Sequence, residues 1–217
     1  MSSEEIFGAI AAGEMERVRD LVAQDASCAG ARNEQGISAL MWALYNRRSD
    51  MADVVLDAAS GVDVFEAAAL GRTETLSELI AEDATLIGGL SPDGFTALHL
   101  AAFFGHAEAV TLLLQQGAEA SVAAKNPSMV HPLHSAAASG STETVQALLQ
   151  GGADVNAAQH GGWTALQAAA KQNNVEMARR LLAAGADVAR RVDDGQGALD
   201  LAEAEGHDEM VALLKAV

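Results

Sequence analysis

The chain has 217 residues, half of them hydrophobic but only 4% aromatic, with three prolines and one cysteine. Thirty acids against thirteen bases give a formal charge of −17, which repels nucleic-acid phosphates and anionic membranes and permits a basic protein partner. Cys28 has no mate for a disulfide, and no apolar run approaches the roughly 18 residues that span a bilayer, so a cytoplasmic, monomeric chain with no membrane and no nucleic-acid partner is expected.

In chain order, the first element is acidic where a secretory signal is basic: MSSEEIFGAIAAGEMERV carries Glu14 and Glu16 among its apolar residues. The same segment sets an apolar landmark, Ile6, that recurs along the chain. Leu40 follows 34 residues later, Val64 after 24, Leu98 after 34, then Leu133, Leu166 and Leu199 at steps of 35, 33 and 33. Seven units follow from this register: 2–32, 33–60, 61–90, 91–124, 125–158, 159–191 and 192–217. A fixed period of this size is the mark of a stacked repeat, read here as a single domain over residues 1–217.

Each unit has the same internal order. A glycine-containing turn leads into a short helix with an alanine pair, such as Ala101-Ala102 or Ala136-Ala137, that lets neighbouring helices approach closely. Gly105 or Gly140 then breaks that helix from a second one rich in leucine, as at Leu112 to Leu114 and Leu148-Leu149. Gly117, Gly152 and Gly185 end the second helix. No unit can bury its apolar face alone, so the units must stack. Leu149 is expected in the interior, facing the next unit.

These residues resemble the ankyrin repeat. Thr96-Ala97-Leu98-His99 and His131-Pro132-Leu133-His134 match that family's Thr-Pro-Leu-His turn, and Gly105-His106 and the Gly-Ala-Asp of 152–154 and 185–187 match further landmarks. The resemblance implies an all-α solenoid of about seven helix pairs with short hairpin fingers. The step of 24 from Leu40 to Val64 leaves no room for a finger between the second and third units, which predicts a notch or kink there. Glu14, Glu16 and Asp20 at one end, and Glu203, Glu205, Asp208 and Glu209 at the other, are expected to face water as caps.

Candidate chemistry is thin. His131 and His134 have an H-x-x-H spacing, yet no partner ligands stand at metal spacing. The aligned His99 and His134 are read instead as residues that lock the turn through backbone hydrogen bonds, as the family uses them. Cys28 has no histidine near it in sequence, and there is no G-x-S-x-G elbow or phosphate loop. No catalytic residue, metal ligand or cofactor is assigned.

A partner protein is therefore sought on the surface. In ankyrin arrays the finger tips and the inner face of the first helices form the usual concave binding surface. The register puts Ile37, Phe95, Val130, Trp163 and Gln196 on fingers. It puts Tyr45-Asn46, Ala69-Leu70, Phe103-Phe104, Ala138-Ser139 and Lys171-Gln172 at the ends of first helices. Exposed large apolar clusters mark interaction sites, and Trp and Tyr are favoured anchors there, so Trp42, Tyr45, Leu70, Phe95, Phe103, Phe104 and Trp163 are the expected partner-binding residues. Between Arg48 and Lys125 there is one base against twelve acids. Glu66 and Asp93 are expected to rim the patch and steer a basic segment onto it. The function expected is a protein-binding scaffold; an acidic inhibitor or immunity-type protein that blocks a basic enzyme is the second reading.

Overall fold

The computed structural model describes residues 2–217, and among them the helices come in consecutive pairs with no strand. Their order is α1 (Ser2–Ala12) with α2 (Met15–Gln24), α3 (Ala39–Tyr45) with α4 (Ser49–Ala58), α5 (Val64–Ala69) with α6 (Thr73–Glu82), and α7 (Ala97–Phe103) with α8 (Ala107–Gln115). Then come α9 (Pro132–Ser139) with α10 (Thr142–Gln150), α11 (Ala165–Lys171) with α12 (Val175–Ala183), and α13 (Ala198–Ala204) with α14 (Asp208–Lys215). The expected all-helical repeat stack is what the chain forms.

The two helices of a pair have different characters. In α7 every residue from Ala97 to Ala102 is buried, because small side chains let α5 and α9 close on both sides. The second helix is one-sided: in α8, Ala109, Val110 and Leu113 are buried, whereas Glu108, Thr111 and Gln115 face water. Second helices therefore make one outer surface and first helices are sandwiched. Leu148 of α10 is fully buried, but Leu149 is only half-buried and packs at the edge of the core, so the interior position expected for Leu149 belongs to Leu148. The acids expected to cap the two ends are all exposed.

Side chains in the turns fasten the fourth, sixth and seventh pairs to the one before. A first helix leaves its last carbonyls without intrahelical donors. His106 Nε2 reaches Ala69 O at 2.9 Å, Gln172 Nε2 reaches Ala137 O at 3.1 Å, Asn174 Nδ2 reaches Gly140 O at 3.1 Å, and His207 Nδ1 reaches Ala170 O at 3.1 Å. The fingers between pairs are bound edge to edge in a similar way. Lys125 N donates to Gly94 O (2.8 Å), His160 N to Ser128 O (3.0 Å) and Asp193 N to Gly161 O (2.9 Å).

One finger is missing, as the register implies. Only residues 59–63 join α4 to α5, against 83–96 between α6 and α7. The apolar core divides at the same place. Residues from Ile6 to Val55 form one buried cluster, and Met41 with Val64 to Leu214 form another, with Leu44 and Val62 touching both. The gap is closed rather than left as a notch. A Cβ on Gly36, at the tip of the second finger, would lie 3.1 Å from the Pro92 ring, so that finger rests on the finger of the fourth pair. Arg32 fastens it from below, donating to Gly36 O (3.0 Å) and to Asp63 Oδ2 (2.8 Å) at the start of α5.

Candidate functional site

The same helix position, the third of each first helix, holds Glu66, His99, His134, Gln167 and Asp200. Each accepts from the backbone N–H just before its helix: Asp63 N to Glu66 Oε2 (2.9 Å), Thr96 N to His99 Nδ1 (3.3 Å), His131 N to His134 Nδ1 (3.3 Å), Thr164 N to Gln167 Oε1 (2.7 Å) and Gly197 N to Asp200 Oδ2 (2.8 Å). At Asp63 and Thr96 the preceding side chain returns the bond, accepting from Glu66 N (2.9 Å) and His99 N (3.4 Å), and a cap of this kind is worth on the order of 1 kcal/mol. The longer side chains also reach forward to the next finger. His99 Nε2 donates to Val130 O (2.9 Å), His134 Nε2 to Trp163 O (2.9 Å) and Gln167 Nε2 to Arg190 O (2.9 Å). Burial holds both imidazoles neutral, with His99 and His134 each lowered to about 4; the backbone acceptors oppose the shift and His131 adds to it.

With their ring nitrogens occupied, His99 and His134 present only ring surface to what lies in front of them. That surface walls a pocket of about 220 Å³ between α7, α9 and the two fingers that precede them. Phe95 and Val130 come from the fingers, Leu100 and Phe103 from α7, and Ser135 and Ala138 from α9, with Gln159 at the margin. Phe103 is 42% exposed, one of very few large apolar side chains in the described chain left so open. Tyr45 closes the remaining side, although it stands on α3, two pairs away along the sequence.

Tyr45 reaches the pocket because the intervening pair is low at that point. The register opposes it to Ala69 of α5, and no third finger stands in the way. Its ring stacks on Phe104 (6.1 Å between centroids, 21° between planes), and Phe104 meets Phe103 edge-on at 5.1 Å. Its hydroxyl donates to Asp93 Oδ2 at 2.7 Å, while Ser91 Oγ donates to Asp93 Oδ1 at 2.5 Å. Burial first, and then the bond to Asp93, push the Tyr45 phenol well above its usual range, so it stays a donor.

The structure thus draws Tyr45, Phe95, Phe103 and Phe104 together and leaves the other expected anchors elsewhere. Trp42 is half-buried at the N-terminal end, donating from Nε1 to Phe7 O (3.1 Å) and meeting the Phe7 ring edge-on. Leu70 packs against that same N-terminal cluster. Trp163 does not line the pocket; Lys171 Nζ lies 5.6 Å from its ring centroid, a cation–π pair. The acidic rim needs correction. Glu66 is 7% exposed and caps α5, and both oxygens of Asp93 are engaged. The exposed acids of the middle of the chain, among them Asp53, Asp57, Glu74, Glu78, Glu82 and Glu108, stand on α4, α6 and α8, the outer helices. Second helices need polar residues on their water side, which is where the charge goes.

The register located Phe95, Val130, Phe103 and Ala138, and it read His99 and His134 as locks. That the locks are also walls could not be seen in it, since a ring's faces are free only once its nitrogens are placed. Among the described residues no group of three or more His, Cys, Asp or Glu side chains is arranged to hold a metal, and no helix is long and apolar enough to cross a membrane. Cys28 is buried.

A family model described as "Ankyrin repeat" matches residues 93–127, and one described as "Ankyrin repeats (3 copies)" matches residues 133–216. No curated protein matches the chain. Together the two family matches take in more than half of the residues, and the chain belongs to the ankyrin-repeat family, whose members are typically non-catalytic protein-interaction modules.

Proposed function

We propose that the chain is a non-catalytic, cytoplasmic binding module, a monomeric array of seven units over residues 1–217. It holds a partner protein on the concave face formed by fingers and first helices. The observation that supports this reading is the preformed pocket of about 220 Å³ beside the exposed Phe103. A protein with no use for such a recess fills it, because leaving aromatic surface against water forfeits about 25 cal/mol for each Å². An apolar side chain of the partner that enters the recess covers Phe95, Phe103 and Tyr45 together. Pockets of this kind, lined by rigid aromatics, are where a few residues carry most of an interface's energy. The net charge of −17 favours partners with a basic surface at long range, whereas the anchor itself is apolar.

Affinity capture from the native cell tests this reading. The tagged protein, the Phe103→Ala variant and the outer-surface variant Glu143→Ala are compared at matched, folded concentrations. A specific protein retained by the parent and Glu143→Ala but lost with Phe103→Ala is the expected result. Equal capture by all three would place the partner away from the pocket.

A further inference from the structure

The pocket is one end of a longer groove. Past Tyr45, Phe103 and Ala138, which both spaces share, a second cavity of about 510 Å³ continues to the turns between paired helices. Phe104 lines it, and so does Arg47. On a chain of charge −17, Arg47 is the one charged residue among those lining either space.

Arg47 is also out of place for the repeat. It occupies the left-handed turn that breaks a first helix from a second, with φ +56°. In the other pairs that position is Gly13, Gly71, Gly105, Gly140, Gly206 or Asn173, all with positive φ. Glycine and asparagine adopt this conformation readily, and an arginine does so only under strain. The side chain gains nothing within the fold that offsets it: Arg47 is exposed and makes no ion pair or side-chain hydrogen bond among the described residues. No carboxylate among the described residues pairs with it. The guanidinium of Arg48 lies over Gly13, and Asp50 accepts from Met51 N (3.0 Å) at the start of α4.

From these observations we infer the chemistry of the segment that the groove takes, a deepening that rests on the binding-module reading above. The segment belongs to the partner and carries one large apolar side chain for the pocket and, beside it, an Asp or Glu whose carboxylate pairs with Arg47. Charge complementarity selects it: the pocket is apolar, the cavity beyond it mixes aromatic and hydroxyl side chains, and Arg47 is the single charged side chain in either lining, where a guanidinium pairs with a carboxylate in bidentate geometry. A lysine or arginine in the segment meets repulsion from Arg47 and no acid in the lining.

The experiment uses the full chain and a library of random peptides displayed with their C-termini blocked. Selected peptides are then synthesised, labelled and titrated by fluorescence anisotropy against the parent and three variants. The expected peptides share a large apolar residue with Asp or Glu close by. Arg47→Gly is expected to melt no lower than the parent, since it restores the residue that the turn prefers, yet to bind at least fivefold more weakly. Arg47→Glu is expected to turn the selection towards Lys and Arg. Phe103→Ala removes the anchor and lowers affinity for every selected peptide. Selected peptides without acidic bias, or unchanged binding by Arg47→Gly, would overturn the carboxylate assignment, and the binding-module reading would survive so long as Phe103→Ala still weakens binding. If no peptide is selected, or Phe103→Ala binds as the parent does, both fail. A self-association that Phe103→Ala abolishes would show the occupant to be a second copy, which also overturns the assignment.

Discussion

At His99 and His134 one side chain caps a helix, pins the next finger and walls the pocket; the cap needs an uncharged ring, because Nδ1 accepts there, and burial disfavours the charged one. Unfolded, each histidine protonates near the ordinary 6.5; folded, it does so only near about 4. Because the folded value is the lower one, the stability each ring contributes is complete above pH ~6.5 and is lost as pH falls towards 4. The loss is on the order of 3 kcal/mol per ring. Chemical denaturation across this range checks it. Gln167 makes the same pair of bonds without titrating. The double variant His99→Gln, His134→Gln should therefore fold and show a flatter profile between pH 6.5 and 4. An unchanged profile would mean that other groups set the acid sensitivity. Leu148 offers a second test at this scale. Leu148→Ala should lower stability by roughly 2–5 kcal/mol, whereas the half-buried Leu149→Ala should cost clearly less. Two adjacent leucines are alike in sequence; which one points inward depends on helix rotation, and a register anchored on first helices does not resolve it.

The missing finger is the element on which both the fold and the pocket turn. Its absence is legible as a step of 24 residues, but its consequence is not, because the contact that follows joins pairs that are not neighbours in sequence. Without a third finger, Tyr45 crosses the low Ala69 to Phe104 and Asp93, and Gly36 comes to rest on Pro92. Glu66 shows the same limit from the other side: its place on a first helix was readable, whereas its burial follows from the cap it makes at Asp63. Repeat stacks behave as sums of nearest-neighbour couplings, and the divided core marks the weakest of them here. Hydrogen exchange should accordingly show α1 to α4 opening as one body at lower free energy than α7 to α12. Tyr45→Phe keeps the stacked ring and removes the bond to Asp93, so it should speed exchange in α3 and α4 while leaving α11 and α12 unaltered. Uniform acceleration along the chain would contradict a joint at this position.

For the whole molecule, the separation of charge from contact surface is the consequence of greatest weight. Helix pairs with one wet side send the acids outward, and the groove keeps fixed aromatics with no acid in its lining. Overall charge is therefore a poor guide to what the groove holds, which is why an acidic rim was readable from the linear order and is not present in space. The family, the helix pairs and the positions of Phe95, Phe103 and Phe104 were legible because they follow a period; the closing of Tyr45 onto the pocket and the Arg47 end of the groove arise where the period is broken. Site-specific photocrosslinking in the native cell tests the central claim most directly. A photoreactive benzoylphenylalanine is placed at position 103, in place of Phe103, and separately at position 143, in place of Glu143 on the outer surface of α10. Covalent adducts to a specific protein from position 103 and none from position 143 are the expected result. Adducts from position 143 with none from 103 would contradict the account.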